Sequence, residues 1–274
     1  MNDFSFEKIE ESFGILKIDM NSTEFAGYAT EAGFTPRQLE AIEQLMEYLR
    51  LKKIESNIES NLRMSRLPKK DPKTFENFDF SVIRGRDVER LKCLPSLATI
   101  RAHKNLAFIG PAGTGKTHLA QAYGYECCQQ GLSAYFIKMT ELRDKFTAAR
   151  RAGNEANIIK NLVRPSCLII DEVGRCEFDK ENTRLFFDLM DRRYCKDGNY
   201  NVIFTSNKMP SLWKSDFNED DTLLCALDRI FDDALVFTIK GESYRGKRTE
   251  RILLQIGKTK SESSEEPVLT KKTN

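Results

Sequence analysis

The sequence lacks the long hydrophobic runs that mark membrane-spanning and exported proteins. No apolar stretch approaches the ~18 residues that a membrane-spanning helix requires, and the chain starts with the mixed, acidic segment MNDFSFEKIEESFG rather than an apolar signal. These absences predict a soluble, cytoplasmic protein that makes no contact with a membrane.

The cysteine patterns of metal sites and disulfide frameworks are also missing. The seven cysteines are odd in number, and no two of them stand in C-x-x-C spacing, so neither a zinc site nor a set of disulfides is indicated. We expect reduced thiols, as in other cytosolic proteins.

A large net charge of one sign is absent, since 43 Lys and Arg side chains stand against 41 Asp and Glu. The formal net charge of +2 neither indicates nor excludes a polyanionic partner. The charges are segregated along the chain, however. A basic connector at 63–73 and a basic segment at 240–251 are offset chiefly by an acidic stretch over 216–233.

The chain does contain enough apolar material for a sizeable core. A hydrophobic fraction of 40% excludes wholesale disorder, and 274 residues correspond to about two domains at ~150 residues each. We expect a helical N-terminal domain with a basic connector over residues 1–75, an α/β core over 76–257 and a disordered tail over 258–274.

The N-terminal part carries a clear helix start. Thr35, Pro36 and Gln38 supply an N-cap, a helix-starting proline and a capping-box partner, which predicts a helix from Pro36 into the fifties. Pro68 and Pro72 then end any helix and indicate an extended connector.

In the second part, short β-rich runs alternate with stretches compatible with helices. Runs of four or five apolar residues, separated in this way, are typical of buried parallel strands joined by crossover helices. The sequence therefore predicts an α/β fold with about five parallel strands sandwiched by helices. The predicted strands are 106–109, 134–137, 167–170, 202–205 and 235–239.

A phosphate-binding motif follows the first predicted strand directly. The sequence GPAGTGKT matches G-x-x-x-x-G-K-[ST] between a strand and a helix, where backbone N–H groups and the helix N-terminus surround phosphate oxygens. We expect Lys116 to reach the β and γ phosphates of ATP and the Thr117 hydroxyl to bind Mg²⁺. The cofactor-binding residues of this motif are Gly110, Pro111, Ala112, Gly113, Thr114, Gly115, Lys116 and Thr117.

Further polar residues are expected to complete a hydrolytic site. Asp171 and Glu172 end the third strand, so we assign Asp171 to the Mg²⁺ ion and Glu172 to activation of the attacking water. Asn207 follows the fourth strand and is a candidate for contact with the γ-phosphate or that water. Arg229 stands in an acidic segment, either as a salt-bridge partner or as a finger presented to the nucleotide of an adjacent subunit.

The motif details exclude two classes of P-loop protein. Asn207 and Lys208 are not followed by the Asp of the guanine-binding N-K-x-D motif, and Val173 and Gly174 follow Asp171 and Glu172 where a DEAD-type helicase has Ala-Asp or Ala-His. The chain instead resembles the IstB-like branch of the IstB/DnaC family of AAA+ ATPases over about 60–250. The segments that carry this resemblance are LRMSRLPKKDPKTFENFDF, GPAGTGKTHLAQAYGYECCQQG, CLIIDEVGRCEFDKENTRLFFDLMDRRY, TSN and ALDRIFDDALVFTIKGESYR.

The resemblance implies a P-loop AAA+ core whose subunits form a homo-oligomer on duplex DNA, with ATP held between subunits and hydrolysed there. It implies a helper of insertion-sequence transposition that engages a transposase, or alternatively a DnaC-like loader of the replicative helicase. A nucleotide-switched protein adaptor that does not bind DNA is the candidate from another class. Only 35 residues follow Ile239, so we expect a minimal or absent lid, and surface charge explains Arg245 and Arg248 better than contacts with nucleotide.

Two basic groups are candidates for sequence-independent contacts with DNA phosphates, and a solvated protein surface is the alternative for each. One lies in the connector and the other on a helix predicted between the second and third strands. The candidate residues are Arg63, Arg66, Lys69, Lys70, Arg143, Lys145, Arg150 and Arg151.

Residues 25–44 also match the offsets of a helix-turn-helix. Arg37 stands there among several glutamates, which repel phosphate. A small helical bundle that contacts a protein partner is therefore the preferred interpretation. The apolar positions of the helix-turn-helix pattern are Tyr28, Ala32, Phe34 and Ile42.

Overall fold

The computed structural model describes residues 6–83, 88–217, 229–232 and 234–240. The predictions for the tail, the lid, Arg245 and Arg248 lie outside these residues. Within them, every helix is too short or too polar to cross a lipid bilayer.

A five-stranded parallel sheet, ordered β2-β3-β4-β1-β5, forms the centre of the core. The five predicted strands are confirmed, but β3 continues three residues further than predicted, because Val173 pairs with Ser206 beyond an irregularity in the ladder. Asp171 and Glu172 therefore lie inside this strand rather than after it. The strands are β1 (Leu106–Ile109), β2 (Ala134–Lys138), β3 (Cys167–Val173), β4 (Asn201–Ser206) and β5 (Leu235–Thr238).

Helices cover both faces of the sheet, which explains why the strands are apolar at successive positions. In β1, Ala107 and Ile109 belong to one buried cluster, while Leu106 and Phe108 belong to the other. The helices that follow the N-terminal region are α4 (Val88–Lys92), α5 (Ala98–Arg101), α6 (Lys116–Gln129), α7 (Met139–Ala152), α8 (Glu155–Val163) and α9 (Lys180–Tyr194), with 3₁₀ turns at Phe80–Val82, Leu94–Ser96 and Pro210–Asp216.

The N-terminal region contains α1 (Phe6–Leu16), α2 (Ser22–Glu31) and α3 (Pro36–Met64). The predicted helix start at Pro36 is confirmed, and the backbone N–H of Thr35 donates to Gln38 Oε1 at 2.8 Å. The helix ends at Met64, a few residues beyond the predicted fifties. Ile9, Phe13 and Phe25 form a small apolar cluster against one side of α3.

The expected apolar position at Tyr28 is wrong. Tyr28 is 58% exposed, and its ring packs edge-on against Phe34 at 5.7 Å. The small cluster is instead built around Phe25, whose ring lies 5.8 Å from that of Phe13 on α1.

The connector is packed onto the core rather than simply extended across it. Leu67, Phe75 and Phe78 are buried in the same apolar cluster as helix α6. The backbone N–H of Phe136 in β2 also donates to the Ser65 carbonyl at 2.8 Å. The residues between α3 and the sheet thus contribute directly to the core.

A buried arginine on α9 donates hydrogen bonds to the backbone between the end of α8 and β3, and to the first residue of β4. Arg193 is 1% exposed, and burial lowers the pKa of its guanidinium to about 10. Its two terminal nitrogens donate at 2.7–3.1 Å to the carbonyls of Leu162, Val163, Pro165, Ser166 and Asn201.

We expect Arg193→Met to lower the free energy of unfolding by about 3 kcal/mol, since it removes the guanidinium that donates to these carbonyls, in part through fully buried hydrogen bonds. Urea titration measures this change. Arg192→Met is the matched control, because Arg192 makes only an exposed ion pair with Asp188 and its loss should leave the unfolding midpoint almost unchanged. Equal midpoints for the two variants would contradict the assignment.

Candidate active site

The loop from Gly110 to Gly115 joins β1 to α6 and needs glycine at both ends. Gly115 precedes α6 with φ +90°, and a Cβ there would lie 2.7 Å from the ring of Phe78. A Cβ on Gly110 would lie 2.2 Å from the carbonyl oxygen of Ile239. The loop is therefore held tightly between the connector and the residue after β5, with the N-terminus of α6 behind it.

The Pro111 carbonyl lies at the centre of this loop. It accepts hydrogen bonds from Lys116 Nζ at 2.6 Å and from Thr114 Oγ1 at 2.9 Å. Lys116 is only 7% exposed, so its ammonium group lies within the curve of the loop. A compact cation in a concave loop at a helix N-terminus is suited to binding phosphate.

Asp171 is held by two hydroxyl groups from different elements. Its Oδ1 accepts from Thr117 Oγ1 at 2.8 Å and from Thr205 Oγ1 at 2.6 Å. Burial raises the pKa of the Asp171 carboxyl, while these hydroxyls and Lys138 act in the opposite direction. The carboxylate at the end of β3 is thereby fixed against the first turn of α6.

The Thr117 and Asp171 pair fits a magnesium ion. A hydroxyl and a carboxylate are hard oxygen ligands, and Mg²⁺ in nucleotide sites needs only one or two carboxylates in addition to phosphate oxygens and water. In the described ranges no three His, Cys, Asp or Glu side chains gather into a metal cluster.

Glu172 adopts an uncommon backbone conformation, with φ +62°. Its backbone N–H donates to Thr205 Oγ1 at 2.9 Å. The hydroxyl that donates to Asp171 therefore also holds the backbone of Glu172 in place. The Glu172 carboxylate forms an ion pair with Arg175 and lies 3.9 Å from Lys138 Nζ. Backbone strain of this kind is typical of functional sites.

The other two predicted site residues, Asn207 and Arg229, lie at opposite ends of the parallel strands. The Ser206 carbonyl accepts from the Gly110 N–H at 3.1 Å, so the exposed Asn207 directly follows the residue that contacts the phosphate loop. Arg229 instead precedes β5, next to the amino ends of the strands. The structure thus brings together the loop, Asp171, Glu172 and Asn207, but not Arg229.

Several contributors to the site were missed from the sequence. Thr205 lies near the end of β4, two residues before the predicted Asn207, and this position was the available signal. The contact between Phe78 and Gly115, and that between a ring nitrogen of His118 and the Thr74 carbonyl at 2.9 Å, join distant segments. No spacing in the sequence indicates either contact.

Some of the basic side chains predicted to contact DNA form ion pairs within the chain, and others are exposed to solvent. Arg150 donates to both carboxylate oxygens of Asp179 at 2.9 Å, and Arg66 pairs with Glu141 at 2.8 Å. Arg143 pairs with the neighbouring Asp144 at 2.9 Å, and Lys145 is half-buried. The exposed candidates are Arg63, Arg66, Lys69, Lys70 and Arg151, of which Arg66 is the one in the ion pair with Glu141.

Comparison with known proteins places the whole of this core in one family. The model of IstB-like ATP-binding proteins matches residues 16–251. An ATP-binding protein of insertion sequence IS5376 from Geobacillus stearothermophilus is 33% identical over 74% of this chain and 78% of its own length. An ATP-binding protein of insertion sequence IS21 from Pseudomonas aeruginosa is 34% identical over 71% of each chain.

Solved structures support the fold. AMPPCP-bound DnaA from Aquifex aeolicus gives a TM-score of 0.52 at 22% identity, over 64% of this chain and 52% of its own. The DnaC helicase loader gives 0.51 at 17% identity, over 61% of this chain and 97% of its own. At these identities the likeness shows a P-loop AAA+ fold and nothing further.

We expect Glu172→Gln to retain ATP binding while turnover falls at least a hundredfold, because an amide cannot accept the proton of the attacking water. Filter binding of ATP and phosphate release measure the two effects separately. Glu177→Gln is the control, because Glu177 is an exposed carboxylate on the loop after β3. This variant should hydrolyse ATP at the normal rate. Unimpaired hydrolysis by Glu172→Gln would exclude Glu172 as the base.

Proposed function

The chain belongs to the family of IstB-like ATP-binding proteins, and from this premise we propose that it is a Mg²⁺-dependent ATPase that oligomerises on duplex DNA and assists a transposase. The observation that carries the proposal is the hydrogen-bonded junction of Thr117, Asp171 and Thr205 beside the phosphate loop. It joins the predicted nucleotide and metal ligands on one edge of the sheet.

Each residue has a chemical role in the hydrolysis of ATP to ADP and phosphate. The loop N–H groups and Lys116 bind the β and γ phosphates, while Thr117 and Asp171 hold Mg²⁺, which neutralises phosphate charge when bound. Glu172 accepts a proton from the attacking water, and Asn207 orients that water or the γ-phosphate. Orientation and electrostatic stabilisation are the main contributions that a protein makes to this reaction.

Arg229 fits a role between subunits. It lies at the edge of the sheet opposite its own phosphate loop, and its side chain is 58% exposed. An arginine so placed is available to the nucleotide of an adjacent copy, where it would offset the charge that develops in the transition state. This arrangement supports an oligomer with ATP held between subunits.

The insertion-sequence proteins among the relatives favour transposition over helicase loading. The named relatives belong to IS5376 and IS21, whereas the likeness to the helicase loader concerns the fold alone. We propose a transposase as the protein partner. Co-purification with the transposase of the same insertion sequence is the expected result, and capture of the replicative helicase alone would favour the loader instead.

We expect duplex DNA to stimulate ATP turnover and to bind with an affinity that falls steeply as salt rises, since the proposed contacts are to phosphates. Paired substitution of Lys69 and Lys70 by Ala should lower the salt slope by about two, at about one per lost phosphate contact. Turnover and fluorescence anisotropy at several salt concentrations measure these effects. A chain that hydrolyses ATP without any DNA stimulation or salt-sensitive DNA binding would support the nucleotide-switched adaptor.

A further inference from the structure

Arg229 belongs to a short helical turn at residues 229–231, immediately before β5. Leu106 at the start of β1 pairs with Leu235 of β5, so this turn lies at the amino edge of the sheet. The phosphate loop leaves the other end of β1, and four residues of strand separate the two edges by about 13 Å. Arg229 and the phosphate loop of the same chain therefore face different directions.

Asn105 joins this turn to the sheet through both ends of its side-chain amide. Nδ2 donates to the Ile230 carbonyl at 2.9 Å, and Oδ1 accepts from the Val202 N–H at 2.8 Å. The Asn105 backbone carbonyl also accepts from the Leu235 N–H at 2.9 Å. One residue thus fixes the turn relative to β1, β4 and β5.

Apolar packing fixes the other side of the turn. Ile230 is 5% exposed, and the Phe231 ring lies 5.4 Å from Trp213 and 5.9 Å from Phe204. The turn therefore has one packed side and one side that presents Arg229.

The Arg229 guanidinium remains accessible in this arrangement. It borders a cavity of about 550 Å³ and pairs with Asp191 of α9, whose side chain is also more than half exposed. Exposed ion pairs contribute little to stability, so a phosphate group can replace Asp191 at small cost. The position of the backbone, rather than this ion pair, decides where the guanidinium is presented.

We propose that Asn105 is a positioning residue for hydrolysis, which holds the backbone of residues 229–231 so that Arg229 reaches the nucleotide of a neighbouring copy. This inference rests on the proposed function, in which Arg229 acts between subunits. Asn105 acts through Arg229 and contacts no nucleotide itself. Its contribution is made to the site of the adjacent chain, not to its own.

Asn105→Asp tests this role with the smallest change of shape. The variant keeps an acceptor for the Val202 N–H but replaces the donor to the Ile230 carbonyl with a carboxylate oxygen. We expect kcat to fall about tenfold, with KM and Kd for ATP unchanged, because a misplaced arginine weakens transition-state stabilisation only. Asn105→Ser, which shortens the side chain without adding charge, should give a similar loss of kcat.

Mixed oligomers show whether Asn105→Asp loses activity because Arg229 is misplaced or because the subunit fails to fold. Lys116→Ala subunits lack the phosphate-loop ammonium but retain Asn105 and Arg229, so they should restore the sites of Asn105→Asp subunits. The mixture should exceed the sum of the two separate rates, whereas a mixture of Asn105→Asp with Arg229→Ala should not.

The outcomes distinguish the inference from the proposed function beneath it. Wild-type kcat in Arg229→Ala would overturn the role of the arginine between subunits, and the inference with it. A large loss in Arg229→Ala together with a wild-type kcat in Asn105→Asp would overturn the inference alone. The inference would also be overturned if Lys116→Ala subunits restored the activity of Arg229→Ala subunits but not that of Asn105→Asp subunits.

Discussion

The hydrogen bonds that Thr117 and Thr205 donate to Asp171 are the interaction on which the site depends. They join the first turn of α6, the end of β3 and the end of β4 at a single buried carboxylate. Because Asp171 is almost fully buried, these donors offset the cost of keeping a charged group away from water. The same Thr205 hydroxyl accepts from the backbone N–H of Glu172, so the proposed metal ligand and the proposed base are positioned together.

Two groups of candidate functional residues lie at the two opposite ends of the parallel strands. Its carboxyl edge carries the phosphate loop, Asp171, Glu172 and Asn207, whereas its amino edge carries Arg229 and the amide of Asn105 that anchors it. Ligands of open α/β sheets bind at the carboxyl ends of the strands, which accounts for the first group. For the second group we proposed a role at the site of a neighbouring subunit.

The sequence was sufficient for much of the fold and for the centre of the site, because both depend on local patterns. Buried strands appear as short apolar runs, and the phosphate loop requires glycines at fixed spacing before a helix. The roles of Thr205, Phe78 and Asn105 depend on contacts between segments far apart in the chain, which spacing does not reveal. Charge alone also did not show which basic side chains are already paired, since Arg150 and Arg66 form ion pairs within the chain.

We propose that the hydroxyl groups of Thr117 and Thr205 orient Asp171 for a site that binds magnesium and nucleotide together. The most direct test is the ATP affinity of Thr205→Val measured with and without Mg²⁺, with Thr205→Ser as the variant that keeps the hydroxyl. Loss of a residue that orients a metal ligand costs about 10- to 100-fold in metal affinity. We predict that Thr205→Val loses the gain in ATP affinity due to Mg²⁺ while metal-free binding is unchanged; an undiminished gain would contradict the account.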